Sequence, residues 1–247
     1  MDDGKFKEYQ SLFPLGDKEE FKEEISETLD SFYELVGDSP MLGGEVVKLE
    51  YENALDAIIP QKGLSAKEVQ GDLVEKLKGN PIQTEKYVTN AIPLPTKEAL
   101  KAMLLGALAN SNPIWDVYGK AAAQAEMEVN AMMGKLIGYD PKKSSGYFTF
   151  GGTGGNDAAL RVGIKKALPN HNEDGMSNDV YIFCNELAHF SVDSVATDAG
   201  IGRKRIIQIK SNPEDNSMDL RDLEERMSEV LSNGGKIANI YATVGTT

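Results

Sequence analysis

The chain has 247 residues, 40% of them apolar, and a formal charge of −13 at neutral pH. That size and apolar fraction suit a globular protein with a real core, while the acidic surplus argues against nucleic-acid backbones and anionic membrane surfaces as partners. Cys184 is the single cysteine, so no intramolecular disulfide can form. Met1-Asp2-Asp3-Gly4 lacks signal-peptide character and no apolar run reaches membrane length, so a cytoplasmic location is expected.

Residues 18–36 set Phe21, Ile25, Leu29, Phe32 and Leu35 at helical spacing, which predicts an amphipathic helix ended near Gly37. A second such pattern covers residues 65–77, with Val69, Leu73 and Leu77 on one face. Ordinary packing accounts for both stripes. Asn80-Pro81 and Ile92-Pro93-Leu94-Pro95 punctuate an extended connector. Residues 1–95 are therefore expected to be a helical segment with a connector, and residues 96–247 part of a larger domain. Thr96 is placed as the N-cap of a helix running to about Ala109. Asn110-Ser-Asn-Pro113 breaks it, and one long helix is predicted over residues 115–137.

Residues 147–150 form a short β-prone run that feeds Gly151-Gly-Thr-Gly-Gly-Asn156. A helical pattern follows over residues 157–168, with Asn156 or Asp157 as its cap. A glycine cluster opening into a helix leaves backbone N–H groups unpaired where the helix dipole favours an anion. Glycine lets the backbone approach a ligand closely, and Thr153 adds a hydroxyl donor. A phosphate is the natural occupant. The cluster has neither a Gly-Lys-Ser/Thr ending nor G-x-G-x-x-G spacing, so it is not one of the common nucleotide loops.

Strand-like runs follow at residues 180–184, 205–209 and 237–243, separated by helical patterns at about 190–199 and 220–231. The alternation predicts layered α/β architecture around a mostly parallel sheet. Ligands in such sheets gather at the carboxyl ends of the strands. Three candidate segments fall at those ends: the glycine cup, Asn185-Glu186-Leu-Ala-His189, and Gly245-Thr246-Thr247. They are expected to converge on one crevice.

In this order the segments resemble those of fold-type I enzymes that use pyridoxal 5′-phosphate, most closely the group II amino-acid decarboxylases. The cup resembles the family's Gly-Gly-Thr phosphate motif. Asn185-Glu186-Leu187-Ala188-His189-Phe190-Ser191 resembles its Glu-x-x-His-x-Ser motif, and Ala242-Thr243-Val244-Gly245-Thr246-Thr247 its Thr-x-Gly-Thr-Thr motif. Asn112, Trp115 and Glu126 are similar to the segment before the cup. The resemblance spans roughly residues 81–247 and implies a three-layer α/β/α fold with the N-terminal helical segment in front of it. It implies that Gly152, Thr153, Gly154 and Asn156 bind the cofactor, with Gly152 and Thr153 donating to the phosphate. His189 would stack on the pyridine ring as the catalytic candidate, and Thr246 would lie beside the ring. The implied reaction is decarboxylation of an L-amino acid to an amine and CO2, in a homodimer.

The family also needs a lysine that anchors the cofactor and an aspartate at the ring nitrogen, both after the Thr-x-Gly-Thr-Thr motif. None of the 26 Lys and Arg residues follows a histidine. The chain is thus expected to carry half of a site, to need the missing C-terminal half as a partner, and to be silent alone. A carbon–carbon lyase of the sphingosine-phosphate-lyase type and a non-catalytic regulatory half are the alternatives. Cysteine desulfurases share the cup and a stacking histidine but fit the closing threonines less well.

Overall fold

The apolar run at residues 180–185 becomes the central strand of the fold, because its alternate side chains meet two different helical layers. A computed structural model describes residues 10, 12–38, 51–59, 61–78, 94–112, 114 and 116–245. The chain divides into two compact units, Met1–Ser111 and Asn112–Thr247.

The first unit contains α1 (Lys18–Asp38), α2 (Tyr51–Leu55), α3 (Ala66–Leu77) and α4 (Lys97–Ala109). The Asp17 carboxylate caps α1 by accepting the N–H groups of Glu19 and Glu20, each at 3.0 Å. Ser65 and Glu68 close a reciprocal capping box on α3, at 3.3 Å and 2.7 Å, a device worth about 1 kcal/mol. Thr96 caps α4 through the N–H of Ala99, as expected. Gln70 Nε2 donates to Thr28 Oγ1 at 3.4 Å and ties α3 to α1. The amphipathic stripes are less covered than their periodicity predicts: Leu35 is buried, but Leu29, Val69 and Leu73 are exposed, as are Leu100, Leu104 and Leu108 of α4.

In the second unit the single long helix expected over residues 115–137 is two. These are α5 (Asp116–Gly119) and α6 (Ala121–Leu136), separated at Lys120, whose φ of 39° takes the backbone out of the right-handed helical region. Then follow α7 (Gly152–Ala167), α8 (His171–Asp174), β1 (Val180–Asn185), α9 (Ser191–Asp198), β2 (Ile206–Ile209), α10 (Leu220–Ser232) and β3 (Lys236–Tyr241). Among the described residues the sheet has three strands in the order β2-β1-β3, and both pairings are parallel.

Residues 147–150 differ from expectation, having no strand pairing. A strand exists only through a ladder partner, and none of β1, β2 and β3 pairs with this segment. Side chains hold it instead: Asn130 Nδ2 of α6 donates to the Gly146 carbonyl, and Thr149 Oγ1 donates to the Gly151 carbonyl at 2.8 Å.

The pleat of β1 separates two cores. Val180, Ile182 and Cys184 pack with Leu160 and Ile164 of α7 and with Val192, Val195 and Ala196 of α9. Phe183 packs with Ile209 and with Val230 of α10, joined by Tyr181, Leu223 and Met227. The result is helix, sheet and helix in three layers. Fully burying a side chain such as Ile182 or Phe183 contributes about 1.5–3 kcal/mol, so the layers hold each other. One contact sets how closely α7 lies on β3. A Cβ on Gly163 would overlap both Asn239 Oδ1 and the Ala238 carbonyl. Asn239 Nδ2 donates across the same contact to the Ala159 carbonyl at 3.0 Å.

Candidate functional site

The glycine cup is not a loop in front of a helix but the first turn of α7 itself. The helix begins at Gly152 with Gly151 as N-cap, five residues earlier than the apolar pattern predicts, so neither Asn156 nor Asp157 is the cap. Glycine carries no apolar signal, which is why periodicity misses this turn. Gly151 has a φ of 155°, a conformation that other residues rarely adopt. The first backbone bond onto the N-cap runs from Gly155 N–H to the Gly151 carbonyl at 3.2 Å. The N–H groups of Gly152, Thr153 and Gly154 therefore have no acceptor within the helix. Gly152 and Thr153 are exposed. Gly154 is buried, and a Cβ there would stand 3.0 Å from Thr149 Cβ and 3.1 Å from Phe150 Cε1, so it also serves packing against the preceding loop.

The carboxyl end of β1 leads into the His189 segment. Asn185, 3% exposed, accepts the N–H of Leu187 at 2.7 Å and the Ser211 hydroxyl at 3.1 Å. Glu186 donates its N–H to the Ile209 carbonyl at 2.9 Å, and its carboxylate accepts the N–H of Ser211 at 2.7 Å. Loops after β1 and β2 are thus pinned together. The loop after β2 is also held from α10, because Asp222 accepts the Lys210 N–H at 3.0 Å; that bond, above all, holds the Asp222 carboxyl below its ordinary pKa. His189 is exposed, and its ring lies against Phe190 with centroids 4.2 Å apart and planes inclined by 33°.

Two of the expected site residues are wired together through a third. Asn156 Nδ2 donates to Ser191 Oγ at 2.9 Å, and Ser191 Oγ lies 2.9 Å from His189 Nδ1. From the far side, Tyr241 at the end of β3 donates its hydroxyl to the Asn156 carbonyl at 3.0 Å. Burial first, then the negative charges of Asp157 and Cys184, push the Tyr241 phenol up to about 12, so it remains a donor at neutral pH. Hydrogen bonds thus join Asn156 of α7 to the His189 segment and to Tyr241 at the end of β3. Gly245 is described, with φ of 82°, whereas Thr246, Thr247 and Trp115 lie outside the described residues.

Sequence reasoning gave no role to Ser191 or Tyr241. Ser191 is the last residue of the His-x-Ser motif, and Tyr241 is a polar-tipped aromatic at the carboxyl end of a strand, so both signals were available. A cavity of about 500 Å³ borders His189 and Phe190 on one side and Arg203, Ile207 and Gln208 on the other. Its lining includes β2 residues and none of the cup. Cys184 is buried and its thiol is pushed up by that burial, consistent with a packing role. Among the described residues no group of His, Cys, Asp and Glu could hold a metal ion, and no helix is long and apolar enough to cross a membrane.

The sequence and the fold have counterparts in known proteins. No family model matches the chain. A glutamate decarboxylase-like protein of Gibberella zeae is 24% identical over 191 residues, which span 76% of this chain and 36% of that one. The glutamate decarboxylase domain of a Vibrio parahaemolyticus diaminobutyrate-pyruvate transaminase and L-2,4-diaminobutyrate decarboxylase superposes with a TM-score of 0.78 at 24% identity. That match covers 97% of this chain and 55% of the other. The chain is thus similar in sequence and in fold to amino-acid decarboxylases. Its three-layer unit has their PLP-transferase fold. Oryza sativa TDC, solved with PLP and tryptamine, superposes with a TM-score of 0.76 at 17% identity, covering 94% of this chain and 49% of that one. The chain spans between a third and about half the length of the proteins it matches.

Proposed function

We propose that the complete protein is a pyridoxal-phosphate-dependent decarboxylase of an L-amino acid, and that this chain supplies the phosphate-binding turn and the ring-facing histidine. The observation that carries the reading is the hydrogen-bonded path from the first turn of α7 through Asn156 and Ser191 to His189. It joins an anion-binding helix terminus to an imidazole at the carboxyl end of a parallel sheet. The decarboxylase names of the relatives favour this reaction over a carbon–carbon lyase.

The donor set fits the cofactor's phosphate. Three consecutive backbone N–H groups without intrahelical acceptors, the Thr153 hydroxyl and the positive end of the α7 dipole all favour a dianion. A Cβ at Gly152 would meet nothing within 4 Å, so the approach is open. Gly152, Thr153 and Gly154 would hold the phosphate, and His189 would cover one face of the ring. Thr246 is assigned beside the ring from the motif alone. When bound, pyridoxal phosphate supplies a sink for the electron pair released as the substrate loses CO2. This chain's part is to fix the phosphate end, to orient the ring and to exclude water from one of its faces. The anchoring lysine and the carboxylate at the ring nitrogen are assigned to a C-terminal half beyond residue 247.

The exposed apolar faces of α1, α3 and α4 support a further reading, that the complete enzyme is a homodimer; the single, buried cysteine accords with a cytoplasmic site. The test is spectroscopic titration of the full-length protein with pyridoxal phosphate, followed by CO2 release from a panel of amino acids. Saturable binding with CO2 release from one or a few of them is the expected result. Absence of binding would overturn the reading.

A further inference from the structure

Ser191 is 1% exposed, the more buried of the two buried polar side chains among the described residues, and it stands between two residues that the proposed function uses. Its hydroxyl has one proton to give and two lone pairs to accept with. The Asn156 amide fills an acceptor position from 2.9 Å, since Nδ2 can only donate. That leaves the Ser191 proton for His189 Nδ1, 2.9 Å away. The backbone N–H of Ser191 points at the same nitrogen from 3.1 Å, and it too can only donate. Nδ1 is therefore an acceptor toward two donors and carries no proton. The proton of the neutral imidazole must then sit on Nε2.

We propose that Ser191 is a positioning residue that holds His189 as the Nε2–H tautomer and fixes its place relative to the first turn of α7 through Asn156. The assignment deepens the reading of His189 given above and rests on it for its meaning, though not for its geometry. Asn156 is anchored at its other end, because its carbonyl accepts from Tyr241 at 3.0 Å. The phosphate-binding turn, the end of β3 and the imidazole are thus held as one preorganised unit, as a site needs when its reactive group must meet a ligand in a single orientation. The wiring also gives the Asn156 side chain a duty other than contact with the cofactor, since its amide is already committed to Ser191.

The test uses full-length protein with 15N-labelled histidine and no cofactor, read by long-range proton–nitrogen correlation of the imidazole rings. Wild-type His189 should appear as one tautomer, protonated at Nε2. Ser191→Ala should move its resonances part of the way toward the averaged positions of a solvent-exposed histidine, because the backbone N–H of residue 191 still meets Nδ1. Asn156→Ala should move them in the same direction. The double variant should add nothing to Ser191→Ala, because both substitutions cut one path. An Nδ1-protonated wild type overturns the proposal, and so do unchanged His189 resonances in either folded variant. If Ser191→Ala does not fold, the wild-type tautomer and Asn156→Ala decide. Pyridoxal phosphate failing to bind would sink the proposed function while leaving these apo spectra, and the wiring they report, intact.

Discussion

Tyr241 donates its hydroxyl to the backbone carbonyl of Asn156 at 3.0 Å, which locks the carboxyl end of β3 to the first turn of α7. The two residues are 85 positions apart, and their bond ties the N-terminal part of α7 to the end of β3.

Tyr241→Phe removes this bond and should cost about 0.5–1.5 kcal/mol of stability in the full-length protein. It should also change the pH dependence. The folded-state value of about 12 lies above the ordinary 10.0, so the protonated phenol is favoured by folding. Its contribution is complete below the ordinary value and is lost as pH rises from there through the folded value. Urea unfolding on the alkaline side should show wild type losing more stability than Tyr241→Phe. Parallel curves would place the phenol in water.

Gly163→Ala tests the close approach of α7 to β3. The added methyl meets the Ala238 carbonyl and Asn239 Oδ1, and backbone cannot yield as a flexible side chain does. A loss of about 1–3 kcal/mol, the range for overpacking, is expected in denaturant melts. A neutral substitution would mean that the two elements sit farther apart.

Thr153→Val keeps the shape of the side chain and deletes its hydroxyl. Under the proposed function it should weaken pyridoxal phosphate by roughly tenfold, the equivalent of about 1.5 kcal/mol for a hydrogen bond to a charged group. Thr153 is exposed, so the unfolding midpoint should not move. An unchanged dissociation constant would remove the hydroxyl from the site.

His189→Ala separates ring positioning from folding. The side chain is exposed and belongs to neither apolar cluster. Stability should change by less than about 1 kcal/mol, while amino-acid turnover falls by about 100-fold or more. A destabilised variant with full turnover would make His189 a structural residue.

Much of the architecture was legible in the chain because it rests on local rules. The apolar run at 180–184 reads as a strand covered on both faces, and Phe183 and Ile182 do face opposite helical layers. Thr96 announces a helix start by its side-chain chemistry alone.

What the residues could not convey are events that depend on a distant partner. Whether residues 147–150 pair as a strand depends on a neighbour to bond with, not on β propensity, and among the described residues that neighbour is absent. The break at Lys120 depends on one backbone angle that no residue type announces. The path from Asn156 to Ser191 to His189 was hidden for the same reason. Its Asn156–Ser191 bond spans 35 positions and forms only because α7 and α9 pack on the same face of β1. Sequence by itself determined which groups could bind an anion and face a ring, since donors, glycines and an imidazole are properties of residue types. Tertiary structure alone decided that Asn156 meets Ser191 beside that imidazole, since the two lie on helices that only folding packs together.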